Sequence, residues 1–418
     1  GTMTTLFTSS LARMRLPCLT PSTILALFDL DGVLIQPGGY QQAVFDTVRF
    51  FCHQMGLPDL APDANLLAVF ESQGITSEWD QIALCLAALL DALSAANQPP
   101  TAETLSAAIP WAQSGAWPGG KVDYIARFSG LQPWLLPGIA PAESVLITCQ
   151  RGEGAALFPA LHQHPLLSDL LGHTRDFSQS WPQRVFQSYV LGNRIFEQVY
   201  GQSAPLNSRA YLSAYDRSLL LKRFQERILA AQSSGRIHGA IYTARPSLLP
   251  SDLAATLPGY APEAEMAQVI VGLEPLPLVG YGGLRHLSER LGLHPDTLVK
   301  PSAAQALAAV GAALGAPVWQ ALRWAYALLA RSEPALPPLP GDPPAEIRLP
   351  AALTIHIFED SPIGILAGQR AAEILTGVGC TVKLRAWGIA SHPAKIKALE
   401  SVGAAVCPDI NAAVSRML

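Results

Sequence analysis

Apolar residues along this chain fall into two kinds of run. Ile24-Leu25-Ala26-Leu27-Phe28 is short, unbroken and closed by an acidic turn signal, as expected of a strand buried on both faces. With its turn it occupies roughly 23–35. Strand character recurs at Ile237–Tyr242, Thr354–Phe358, Thr381–Ala386 and, more briefly, Ala404–Cys407. Between these runs the apolar positions space helically, over Ser302–Leu314, Ile363–Val378 and Pro393–Val402. Alternation of this kind predicts a doubly wound parallel α/β sheet with a Rossmann-like core.

The stretch between the first two strands is different. From about 41 to 235 the pattern is mainly helical. Ala43, Val44, Val48, Phe50 and Phe51 mark one amphipathic face. Thr76 or Ser77 starts a helix running through Trp79 to about Ala96, and Phe186–Tyr200 and Arg217–Ala231 are further candidates. Pro37-Gly38-Gly39 reads as a breaker and a crossing point between domains. Gly280-Tyr281-Gly282-Gly283 reads as a turn. Ser332–Pro350 holds seven prolines and reads as a surface excursion or stiff linker. The expected organisation is an N-terminal arm over 1–20, with Gly1-Thr2 as a tag scar. A sheet domain follows from 21–40 and 236–418, with a large, mainly helical insertion, 41–235, after the first strand.

Composition narrows the class. Half of the 418 residues are hydrophobic and 14% are charged, ample for packed cores. A net charge of −4 gives no basic face for nucleic acid or anionic lipid, so neither partner is expected. Ile82–Ala96 is apolar but short and carries Asp91, which suits a buried helix better than a membrane span. The six cysteines are scattered without a Cys-x-x-Cys pair, as in a reduced, cytoplasmic protein. No Gly-x-Gly-x-x-Gly, phosphate-loop or Gly-x-Ser-x-Gly sequence occurs.

Candidate chemistry gathers at the strand ends. Asp29 and Asp31 follow the first strand, and in extended chain residues two apart point the same way. One carboxylate can then attack while the other moves a proton. Thr243, followed by Ala244 and Arg245, ends the second strand. Lys300 lies between Leu298-Val299 and a helix start, in a chain where only six of 28 basic residues are lysines. Glu359-Asp360 closes the Thr354–Phe358 strand and suits a hard, oxygen-seeking cation. Each also has a plain structural reading: a capping threonine, a solvated lysine, acids at a helix N-terminus.

Taken in order, Asp29-Leu30-Asp31-Gly32-Val33-Leu34, Thr243, Lys300 and Glu359-Asp360-Ser361 resemble the four motifs of the haloacid dehalogenase-like superfamily, in its phosphatase and β-phosphoglucomutase branch. The resemblance covers 22–36 and 236–418. It implies a helical cap between the first two motifs and a Mg²⁺-dependent phosphomonoester hydrolase acting on a small phosphorylated metabolite. Asp29 would be the nucleophile and Asp31 the acid and base. Thr243, Ala244, Lys300 and Arg245 would hold the phosphoryl group. Asp29, Asp31, Glu359 and Asp360 would hold the metal. An acid at Asp31 disfavours dehalogenation, which has no alkoxide to protonate. A phosphomutase of the β-phosphoglucomutase type and a non-catalytic binding protein on the same scaffold are the alternatives, and the protein is expected to be a monomer or a homodimer. Val145-Leu146-Ile147-Thr148 rivals Thr243 for the second motif, but Thr243 is nearer Lys300 and leads into Ala-Arg-Pro. His162-x-His164 lacks further ligands at metal spacing and reads as surface histidines.

Overall fold

A computed structural model describes residues 22–418; the expected N-terminal arm, the Gly1-Thr2 scar and Cys18 lie outside the described residues. The strands are β1 (Thr23–Phe28), β2 (Ile35–Gln36), β3 (Arg217–Ser218), β4 (His238–Tyr242), β5 (Leu278–Val279), β6 (Ala352–Glu359), β7 (Thr381–Ile389) and β8 (Ala405–Cys407). Six of them form one sheet in the order β5-β4-β1-β6-β7-β8. Every pairing in it is parallel. The period-2 pleat splits β1 between two layers. Leu25 and Leu27 pack with the helices at 281–290, 304–313, 318–332 and 362–377. Ala26 and Phe28 pack on the opposite face with those at 222–233, 263–271 and 410–417. The chain leaves β1 first toward β4 and β5, and later returns on its other side as β6, β7 and β8. The strand order therefore reverses at β1, and a crevice opens beyond its carboxyl end.

The helical insertion hangs from this edge. Its two connections pair with each other as a short antiparallel ribbon, Ile35 opposite Ser218 and Gln36 opposite Arg217. The insertion has its own core, built around helix Glu78–Asn97, in which every residue from Ile82 to Leu90 is buried. This helix is long and apolar enough to cross a membrane, yet 78% of its most apolar window is buried inside the protein.

Several expectations need correction. Gly38 and Gly39 do not break the chain: they open helix Gly38–Gln54. A Cβ at Gly39 would sit 2.8 Å from the Tyr211 carbonyl oxygen, so the glycine serves a close helix approach. Gly280–Gly283 likewise opens helix Tyr281–Arg290, because the Ser247 backbone presses against Gly282. The insertion expected over 41–235 runs too far. Residues 217–218 are strand β3, and Leu220, Phe224, Ile228 and Ala231 pack beneath the sheet. The helix expected over Arg217–Ala231 runs Lys222–Ser233 and belongs with the sheet. The proline-rich segment is irregular but not free. Leu336, Leu339, Ile347 and Leu349 pack on the core, and Tyr326 donates its hydroxyl to the Pro337 carbonyl at 2.6 Å. It is a strap over helices Ala304–Ala313 and Val318–Ser332.

Candidate active site

The strand ends bring the expected residues to one place. Asp29 leaves β1 with its amide bonded to the Phe358 carbonyl, which fixes it beside the end of β6. The next turn closes tightly through Gly32 at φ +78°. Glu359 is the last residue of β6 and is fully buried. Oxygens of Asp29, Glu359 and Asp360 lie within 4.8 Å of one another.

Two lysines flank this acidic cluster. Lys300 Nζ lies 3.2 Å from Asp29 Oδ1 and 2.6 Å from Glu359 Oε1. The Tyr242 hydroxyl also donates to Glu359 Oε1, at 2.6 Å, and the Tyr242 ring lies under the Lys300 ammonium. Lys395 Nζ donates to Asp360 Oδ2 at 2.6 Å. Glu359 Oε2 is buried with no hydrogen-bond partner among the described residues.

The electrostatics follow from this crowding. Burial pushes Asp29 well above the usual carboxylate range; Lys300 pulls it down, and Glu359, Asp360 and Asp31 push it further up. Burial pulls the Lys300 ammonium down, but Asp29 and Glu359 outweigh that and leave it raised. An all-oxygen donor set with an orphaned carboxylate oxygen fits a hard divalent cation. Of the expected metal ligands, Glu359 fits least simply, since its Oε1 is already shared by Lys300 and Tyr242.

Thr243 is buried at the end of β4. Its hydroxyl accepts from the Arg245 amide at 3.1 Å, and its carbonyl accepts from Gln305 Nε2 at 2.7 Å. Ala244 is exposed at the bend. Thr148 is removed from contention because it ends helix Pro141–Thr148 in the insertion. His162 bonds the nearby Phe158 carbonyl, and His164 bonds the distant Pro100 carbonyl and caps helix Pro165–Leu171.

Arg245 departs from expectation. Rather than facing a phosphate position, its buried guanidinium is already committed. Nε and Nη2 donate to Asp31 Oδ1 at 2.9 and 2.6 Å. Nη1 donates to Asp216 Oδ2 at 2.9 Å, and the Tyr40 ring lies 4.8 Å from the guanidinium carbon. Asp216 Oδ1 accepts from the Gly39 amide at 2.9 Å. Glu263 is buried beside this group, bonded by the Tyr40 hydroxyl at 2.6 Å. Burial pushes Glu263 up to about 7.

The insertion also supplies carboxylates that sequence patterning did not single out. Glu78 opens helix Glu78–Asn97. Burial, with the charges of Asp31 and Glu263, pushes it up to about 7, against the pull of Arg245. Glu71 is exposed near the end of helix Ala64–Ser72, where it feels the charges of Lys395 and Asp360. Tyr242, Asp216, Glu263, Lys395 and Gln305 were also unanticipated. Among these, only Tyr242, one residue before Thr243, had a sequence signal.

No protein-family model matches the chain, and no curated protein does. Among solved structures, the chain is similar to an X-ray structure determined as a Northeast Structural Genomics Consortium target. The two share 14% identity and a TM-score of 0.60, covering 94% of this chain and 98% of that one. This likeness agrees with the α/β fold described above. A phosphatase, Tt82, from Thermococcus thioreducens aligns over the same shares at 13% identity and a TM-score of 0.40. A hydrolase from Pseudomonas syringae aligns at 10% identity and 0.30. Both scores are too low to bear on the site.

Proposed function

We propose that this chain is a phosphomonoester hydrolase of the haloacid dehalogenase-like kind, with residues 37–216 as its cap. One observation carries the reading. Asp29 lies buried at the strand-order reversal, against Lys300, with Glu359 and Asp360 beside it and a second carboxylate, Asp31, two residues on.

In the proposed reaction an Asp29 oxygen attacks phosphorus in line with the leaving oxygen. The new Oδ–P bond forms as the P–O ester bond breaks, and Asp31 delivers a proton to the departing alkoxide. Water then attacks the aspartyl-phosphate. Asp31, now a carboxylate, takes the water's proton, and Asp29 is released with inorganic phosphate. Lys300, Thr243 and the amides after it would balance charge on the transferring group. Asp29, Asp360 and the Asp31 carbonyl would hold Mg²⁺, with Glu359 direct or through water. The ion would neutralise charge so that a carboxylate can approach a phosphate dianion.

Glu78 and Glu71 are cap carboxylates that feel the charges of Asp31 and Asp360, and both are held above the ordinary carboxylate value.

The test is phosphate release from neutral, cationic and acidic phosphomonoesters, with and without Mg²⁺, for wild type and Asp29→Asn. The expected result is Mg²⁺-dependent release from at least one class of ester, abolished by the substitution. Absence of release from every ester by folded, metal-supplied protein overturns the proposal.

A further inference from the structure

Arg245 joins three parts of the molecule that are far apart in sequence. It binds Asp31, in the turn after β1, through two guanidinium nitrogens. It binds Asp216, the last residue before β3, through the third. Asp216 in turn accepts from Gly39, at the start of the cap's first helix. So one cation bridges the proposed proton donor to the residues where the chain enters and leaves the cap. The Arg245 side chain is 1% exposed and that of Asp216 is fully buried, whereas that of Asp31 is 36% exposed. The accessible end of the network is thus the acid, and its anchored end is the base of the cap.

A carboxylate on a tight turn has rotamer freedom that a fork-shaped donor removes. Asp31 oxygens receive Nε at 2.9 and 3.0 Å and Nη2 at 2.6 Å, a two-pronged hold that sets the carboxylate plane. The Tyr40 ring on the guanidinium and the Glu263 carbonyl near Nη1 fix the fork itself.

Resting on the phosphatase reading above, we propose that Arg245 is a positioning residue that ties the leaving-group acid Asp31 to both cap linkers. Proton delivery then depends on the two linkers being held together. Asp216 is the second member of the device: it reaches Asp31 through Arg245 and holds the other linker through Gly39.

Leaving-group dependence separates this role from mere structural support. A poor alkoxide leaving group needs the proton from Asp31, whereas p-nitrophenolate departs with little help. The value of kcat/KM reports on the first phosphoryl transfer, so the later water step does not intrude. The measurement is the ratio of kcat/KM for an alkyl phosphate to that for p-nitrophenyl phosphate, in full-length wild type, Asp31→Asn, Arg245→Ala, Arg245→Lys and Asp216→Asn. Asp216→Asn keeps one acceptor oxygen, for Gly39, and turns the other into an amide donor that cannot accept from Arg245, so it releases the guanidinium from the linker even where Arg245→Ala fails to fold.

The ratio is expected to fall about tenfold or more in Asp216→Asn and Arg245→Ala, in the same direction as in Asp31→Asn, with Arg245→Lys recovering part of it. Rates that fall equally on both esters, leaving the ratio at the wild-type value while Asp31→Asn lowers it, overturn the assignment and leave the phosphatase reading intact. Wild type inactive on both esters removes that reading, and this one with it.

Discussion

Replacing Lys300 with methionine probes the group on which the acidic cluster depends. The ammonium contacts Asp29 at 3.2 Å and Glu359 at 2.6 Å, and the Lys300 and Glu359 side chains are 8% and 0% exposed. Removing one partner of a buried ion pair costs ~3–5 kcal/mol, because the other charge is left stranded. Two carboxylates lose their cation here, so the upper end, ~4–5 kcal/mol, is expected in metal-free buffer. Unfolding entropy of ~2.1 cal/mol/K per residue over 418 residues comes to ~0.9 kcal/mol/K. The melting temperature of Lys300→Met should therefore fall by about 4–6 °C. Glu359→Gln should cost less than half as much, since its amide oxygen still accepts from Lys300 and Tyr242 and Lys300 keeps Asp29 as its partner. The double variant should lie well above the sum of the two singles. Calorimetry of the four proteins makes the comparison. A shift for Lys300→Met below about 1 °C, or strict additivity in the double variant, would refute the stranded-charge argument.

Other expectations follow from single contacts. Glu263, with a folded pKa of about 7 against an ordinary value near 4.5, binds more protons folded than unfolded between those limits. Its contribution to stability is therefore lost as pH rises from about 4.5 through 7. Glu263→Gln should leave the melting temperature unchanged at pH 5 and stabilise at pH 8 by up to ~3 kcal/mol, at ~1.4 kcal/mol per pH unit; an equal shift at both pH values sinks the idea. Gly364→Ala places a Cβ 2.1 Å from the Glu359 carboxyl carbon. It should displace Glu359 from Lys300 and weaken Mg²⁺ binding by titration calorimetry, whereas wild-type affinity would show that the helix yields instead. Ile347→Ala takes a methyl-rich contact from the proline-rich strap and should cost ~1–2 kcal/mol. It should also speed protease cleavage within 333–350, and unchanged cleavage would mean that the strap is held elsewhere.

The sheet core was legible because β1, β4 and β6 are largely apolar runs ending in a polar turn, and β7 alternates apolar with polar residues. The site was legible for the same reason: Asp29, Thr243 and Glu359-Asp360 sit where those runs stop. What patterning missed has three physical causes. Strands β2, β3 and β5 are two residues long and carry no periodicity. Glycine pairs at 38–39 and 282–283 look like turns but answer to close backbone approach, which only tertiary structure reveals. Asp216, Glu78, Glu263 and Lys395 come from linkers and helices whose local sequence gives no hint of what they will face. For Arg245, position was legible and partnership was not, so a phosphate ligand was expected where Asp31 and Asp216 hold the guanidinium.

The short ribbon of β2 and β3 has a consequence for how such a chain can change over time. Ile35 pairs with Ser218 and Gln36 with Arg217, so the two ends of a segment of some 180 residues are neighbours across one ladder. A two-residue hairpin turn can close that gap. The whole helical unit is therefore a cassette: removable, enlargeable or exchangeable at one seam, without shifting the register of any strand in the main sheet. Sheet and inserted unit can then change at different rates, because an alteration in one leaves the other's backbone pairing untouched.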